Sequence, residues 1–235
     1  MQSSQTDSKK LLARDNLYYW ERPMITFAVE DTLFKVPQKE FEEKSGLFSD
    51  LFSLPARLVS TTEGSSDDNP IHLESIDPND FRRLLMVLYP ENCMNVTPQG
   101  HEEWISVLKL STMWDFVDVR TRALREVSAT LESKTPLDRI ALAKEYKVPR
   151  WLLDAYIALV EQSEPLEKKE IDALGLETVY RLLQIREDTW RNSKGTKGKV
   201  LREFHGLEDR IVDNFYEQLK DAGYSGSRDE VPQQI

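Results

Sequence analysis

The chain has 235 residues, 40% of them hydrophobic, and its 31 basic and 41 acidic side chains leave a formal net charge of −10. That length can bury one good core or two small ones, while the acidity opposes both the polyanionic backbone of nucleic acid and anionic membrane surfaces, so neither is expected as a partner. A single cysteine, Cys93, excludes an internal disulfide and fits a reducing compartment, and no apolar run approaches the ~20 residues of a spanning helix, so a cytoplasmic and/or nuclear location is expected.

Residues 1–11 are polar and read as a disordered start. Leu12, Leu17, Tyr18, Tyr19 and Trp20 then bring more large apolar side chains than a free tail carries, so some surface must cover them. In residues 25–29, Ile25, Phe27 and Val29 alternate with Thr26 and Ala28 at the period of a strand, Glu30-Asp31 makes a polar corner, and Thr32 to Val36 folds back as its partner. Phe41, Leu47, Phe48, Leu51, Phe52 and Leu54 follow at helical spacing in two short pieces, with Ser45 as the cap of the second.

The polar, acidic stretch 60–70 reads as an exposed, mobile insertion. A solvated loop is its plain reading, and phosphorylation of Ser65 and Ser66, ahead of Asp67-Asp68, is the alternative. Ile71 to Ile76 alternates as a third strand, and Asp77-Pro78 opens a helix whose Phe81, Leu84, Leu85, Val87 and Leu88 place it at the centre of a core. After a loop at 90–100, with a short strand at 94–96, a helix pair spans 101–114 and 116–131, with Trp104, Val107, Leu108, Leu110 and Met113 inward. Thr135-Pro136 starts a further pair joined at Val148-Pro149. Ile171, Leu174, Leu176, Val179, Leu182 and Leu183 then read as the core face of one more helix. The basic, glycine-containing stretch 191–199 reads as a linker, the repeat Leu207, Ile211, Phe215 and Leu219 as a last amphipathic helix, and 223–235 as a disordered end. That last stripe either docks back on the body or faces a partner.

Three blocks carry a family resemblance: Ile25 to Val29 with Phe34, Phe41, Ser45 and Gly46-Leu47-Phe48; Phe81-Arg-Arg-Leu-Leu-Met-Val-Leu-Tyr89; and residues 104–116, WISVLKLSTMWDF. In this order they resemble a BTB (POZ) domain of the kind abundant in basidiomycete fungi, over about residues 20–131. The resemblance implies an α+β fold: a small three- to four-stranded sheet flanked by helices, followed by an all-α extension. The organisation expected is an N-terminal segment at 1–20, a BTB/POZ domain at 21–132, a BACK-like helical extension at 133–190, and a linker, helix and tail at 191–235. It also implies a homodimer seam involving Leu12, Leu17, Tyr18, Trp20, Ile25 and Phe27, against the plainer alternative that the first segment packs on its own hairpin.

Many BTB proteins bring clients to a cullin-type ubiquitin ligase. Their hydrophobic-x-Glu motif falls here on Ala56-Arg57-Leu58, where the glutamate is missing. Met24, Pro37 and Tyr89-Pro90-Glu91 are further departures from the family pattern. Ala56, Arg57, Leu58, Leu207, Ile211, Phe215 and Leu219 are the partner-facing candidates. His72, His101 and His205 lie in no catalytic motif, and no glycine-rich phosphate loop is present. The expectation is a non-catalytic interaction module without cofactor or metal, serving as an adaptor or scaffold. A purely structural oligomerisation module and a transcription-associated BTB regulator are the alternatives.

Overall fold

The computed structural model describes residues 23–53, 63–90, 97–191, 202 and 204–226. Within them the chain is mixed α+β with one three-stranded sheet. It divides into two compact units, the first ending at Pro78 and the second beginning at Asn79.

In the first unit, β1 (Met24–Val29) and β2 (Thr32–Pro37) pair antiparallel with Phe27 opposite Phe34. Glu30 turns the corner at φ 48, in the left-handed region that a two-residue hairpin favours and that non-glycine residues enter rarely. The chain then forms α1 (Lys39–Lys44) and α2 (Gly46–Ser53), and the Ser45 hydroxyl accepts the Phe48 N–H at 3.1 Å as the expected cap. β3 (Ile71–Leu73) returns parallel to β1, giving the order β2-β1-β3. As the middle strand, β1 is buried on both faces. Phe27 meets Phe41 at 4.9 Å between ring centroids, and Phe48 sets its edge against both, at 4.9 Å from Phe41 and 6.0 Å from Phe27.

Two expectations change here. Ile25 and Phe27 are buried within the chain itself, Phe27 by the phenylalanine cluster, so neither supplies a free face for a dimer seam. The described part of the acidic stretch, 63–70, is tied down rather than loose. The Gly64 carbonyl accepts the Thr26 N–H at 2.8 Å, its own N–H donates to the Asn69 carbonyl at 2.6 Å, and a Cβ there would lie 2.9 Å from Ile25. Seam residues Leu12, Leu17, Tyr18 and Trp20, the Ala56-Arg57-Leu58 triplet, the short strand at 94–96, the stretch 192–199 and the tail 227–235 lie outside the described residues.

The second unit is helical: α3 (Pro78–Leu88), α4 (Gly100–Met113), α5 (Val117–Leu131), α6 (Pro136–Tyr146), α7 (Pro149–Glu161), α8 (Lys168–Leu174), α9 (Leu176–Arg191) and α10 (Leu207–Asp221). Asp115, at φ 54, lets α5 turn back on α4, and Trp114 packs edge-on against Phe81 at 5.9 Å. Thr135 caps α6, its hydroxyl accepting the Asp138 N–H at 3.2 Å, with Pro136 in the first turn. α7 is the axis of this unit. Trp151, Leu152, Leu153, Ala155, Tyr156, Leu159 and Val160 are all buried, an apolar surface too broad for a one-sided helix, and α6, α9 and α10 pack around it.

α10 settles the alternatives left open for the last stripe. Leu207, Ile211, Phe215 and Leu219 are buried against the chain's own helices, with Phe215 stacked on Tyr156 at 4.4 Å, so they are not partner-facing. The physical reason is that α7 presents apolar side chains on the side α10 covers, and an amphipathic stripe placed beside it loses less by docking there than by facing water. Residues 223–226 are likewise ordered as a cap: the Tyr224 N–H donates to the Leu219 carbonyl at 2.9 Å and the ring is buried. The helix expected over 171–183 is two, parted at Gly175, which takes φ 79. Met113, expected inward, is half exposed.

Truncating Phe215 to Ala removes the ring that fills the space between α10 and α7. Urea denaturation should show a loss of about 3–5 kcal/mol, and a loss under about 1 kcal/mol would mean α10 is not part of the core.

Candidate interaction surface

The histidines bear on whether the chain can do acid–base chemistry. His72 and His205 are exposed, and His101, in the first turn of α4, lies 2.9 Å from the Thr130 hydroxyl through Nδ1. Thr130 already donates its proton to the Val127 carbonyl at 3.0 Å. His101 must therefore donate from Nδ1, and the contact holds the imidazole without activating the hydroxyl. Burial, and next the Lys134 ammonium, hold His101 below the usual value of 6.5. Among the described residues no group of three or more His, Cys, Asp or Glu side chains is placed to hold a metal ion, and no helix is long and apolar enough to cross a membrane.

A cleft of about 560 Å³ lies among α5, α6 and α7. Arg125, Arg139 and Arg150 face it together with Glu132, Asp154 and Glu161, so its charges balance. Its cations are also engaged. Arg139 donates to the backbone carbonyls of Lys134 at 3.0 Å and Glu132 at 2.5 Å, closing the end of α5, while Arg150 pairs with Asp154 at 2.9 Å and Glu208 at 3.1 Å. Burial raises the Asp154 carboxyl above its ordinary range despite that partner. The cleft is a braced joint between helices, with no surplus field for an ionic ligand.

Among the described residues, α9 carries a run of exposed apolar side chains. Val179, Leu182 and Ile185 face the core, while Leu176, Tyr180, Leu183 and Trp190 remain 81%, 57%, 48% and 51% exposed. Positions 176, 180, 183, 187 and 190 alternate steps of four and three, which on a helix is a single stripe, about 21 Å long at 1.5 Å per residue. Ile171 of α8 is exposed near its head. The stripe is polar-tipped: the Tyr180 hydroxyl accepts from Gln184 Nε2 at 2.9 Å, and Arg202 lies 5.3 Å over the Trp190 ring.

Side-chain contacts also tie α9 to its neighbours. Arg186 donates to the Gln162 and Glu164 carbonyls, both at 3.0 Å, and Arg202 donates to the Glu161 and Gln162 carbonyls at 3.0 and 3.2 Å, so two guanidinium groups close the C-terminal end of α7. Arg181 reaches the Asn214 carbonyl and Arg210 pairs with Asp188 at 3.0 Å, tying α9 to α10. The exposed stripe is thus carried on a braced helix.

None of the expected site residues lies on it. Ile25, Phe27, Leu207, Ile211, Phe215 and Leu219 are core, and Leu176 and Leu183, whose spacing predicts a core position, are exposed. The sequence does signal two faces, though not which one is outward: 176, 180, 183 and 190 form one apolar series, and 179, 182 and 185 a second, on the same helix. A helix with two apolar faces has one more than a single core contact needs.

His101 also supplies a pH signature. Its folded value is depressed, so the unfolded chain takes up the proton first, near 6.5, and the stability contributed above that pH is lost as pH falls through the folded value. Denaturation midpoints taken from about pH 8 to about pH 5 should decline more steeply for the wild type than for His101→Gln; parallel curves would remove His101 as a source of acid sensitivity. No protein-family model and no curated protein matches this chain.

Proposed function

We propose that the chain is a non-catalytic protein–protein interaction module, a BTB-type adaptor or scaffold with a helical extension, working in the cytoplasm and/or nucleus. The observation that carries this is the apolar stripe of Leu176, Tyr180, Leu183 and Trp190, exposed on a helix that is tied to α7 and α10. An exposed tyrosine, tryptophan and two leucines on one rigid stripe are the residue types from which binding hot spots are made. The order hairpin, two short helices, parallel third strand, helix and further helix pair is the support that the described residues lend to the BTB resemblance of about residues 20–131. The engaged hydrogen bonds of His101 and the balanced charges of the cleft favour binding over catalysis.

Client delivery to a cullin-type ubiquitin ligase is the sharper form of this proposal, with the absent glutamate at Ala56-Arg57-Leu58 counting against it. Immobilised full chain should capture a defined set of proteins from a lysate of its own cells. A Leu176→Ser, Leu183→Ser variant with an unchanged melting temperature should lose them by tenfold or more. Equal capture by both forms would move the binding face off α9, and capture of nothing by either would overturn the adaptor reading.

A further inference from the structure

The stripe on α9 carries its own complement. Besides the apolar residues it holds Glu187, which makes no ion pair among the described residues, and it is flanked by Glu177 near the N-terminal end and Arg191 at the C-terminal end, both 72% exposed. Their present pairs, Glu177 with Arg181 at 2.8 Å and Arg191 with Asp188 at 3.6 Å, are surface contacts that solvent weakens. Tyr180 accepts a hydrogen bond from Gln184, which leaves its own O–H to donate outward.

A second α9 laid antiparallel, with the two-fold axis at Leu183 and Gln184, satisfies each of these groups. Leu183 meets its own copy, Leu176 meets Trp190, the Tyr180 hydroxyl reaches Glu187, and Glu177 reaches Arg191. Each non-axial contact occurs twice, as a two-fold interface requires. A parallel arrangement would instead stack Glu177 on Glu177 and Glu187 on Glu187, placing like charges together. The antiparallel arrangement also sets opposite ends of the two helix dipoles side by side.

From this we propose that a second copy of this chain covers the stripe, through an antiparallel α9–α9 contact centred on Leu183. The proposal rests on the stripe being a binding face, and it makes the chain itself the occupant. One sixteen-residue helix per subunit offers less than the ~800 Å² per partner of a standard interface, so the dimer is a concentration-dependent one.

Sedimentation equilibrium of the full chain over a wide concentration range tests it, with every variant checked for an unchanged melting temperature. The wild type should pass from monomer to dimer, and Leu183→Glu should weaken dimerisation at least tenfold. Glu177→Arg and Arg191→Glu should each weaken it severalfold, and the two together should restore it. In a Cys93→Ser background, Leu183→Cys should form an intermolecular disulfide under mild oxidation, because the axis brings the two sulfurs together. A wild type that stays monomeric throughout overturns the proposal, as does a dimer indifferent to Leu183→Glu. Failure of the double charge swap to restore dimerisation overturns the antiparallel register. A monomer that still captures other proteins through Leu176 and Leu183 overturns self-pairing while leaving the binding-face reading intact.

Discussion

The second unit is aligned by a part-buried chain of side-chain hydrogen bonds that runs through the joint of α7, α9 and α10. Tyr156, at the middle of α7, donates its hydroxyl proton to the Gln218 side chain of α10, and Gln218 passes its own N–H to the Thr178 hydroxyl of α9 at 3.2 Å. Three helices distant in sequence are thereby held in one register, since a buried hydroxyl or amide left without its partner costs about 1–3 kcal/mol. The Tyr156 and Phe215 rings stack beside this chain, so the hydrogen bonds set the alignment and the rings supply the area. Burial also raises the Tyr156 phenol well above its ordinary range, which keeps it a donor.

That joint explains why α9 has an outer face at all. Once Thr178, Val179, Leu182 and Ile185 are turned inward by the contacts to α7 and α10, the 3.6-residue period leaves Leu176, Tyr180, Leu183 and Trp190 outward. The guanidinium groups of Arg186 and Arg202, set on the last carbonyls of α7, prevent the helix from rolling to hide them. An apolar stripe on a loose helix would collapse onto the body. On a braced one it stays available.

The first unit is built on a different economy of contacts. Its sheet has three strands, and its centre is three phenylalanine rings from one strand and two short helices, aligned by the Ser45 cap. Short helices have little stability of their own, so the hydrophobic cluster and the cap together determine where they stop. Gly64 brings the acidic turn close enough to β1 for a backbone hydrogen bond, and polar sequence around it is no obstacle because the bond is made by the main chain.

Much of this architecture was legible in the residues themselves. The period-two run at 25–29, the Ser45, Thr135 and Pro136 caps, the apolar faces of α3 and α7 and the helix pair around Trp114 are local properties, fixed by side-chain spacing and by which residues satisfy a helix end. Tertiary structure decided which of several apolar stripes becomes core. The repeat of Leu207, Ile211, Phe215 and Leu219 and the repeat of Leu176, Tyr180, Leu183 and Trp190 look alike in one dimension. The first is buried because α7 presents a complementary apolar face and Gln218 locks α10 beside it, whereas the second is exposed because the joint takes the side of α9 that carries Thr178, Val179, Leu182 and Ile185. Periodicity states that a helix has an apolar face, but only the arrangement of its neighbours determines whether that face meets protein or water.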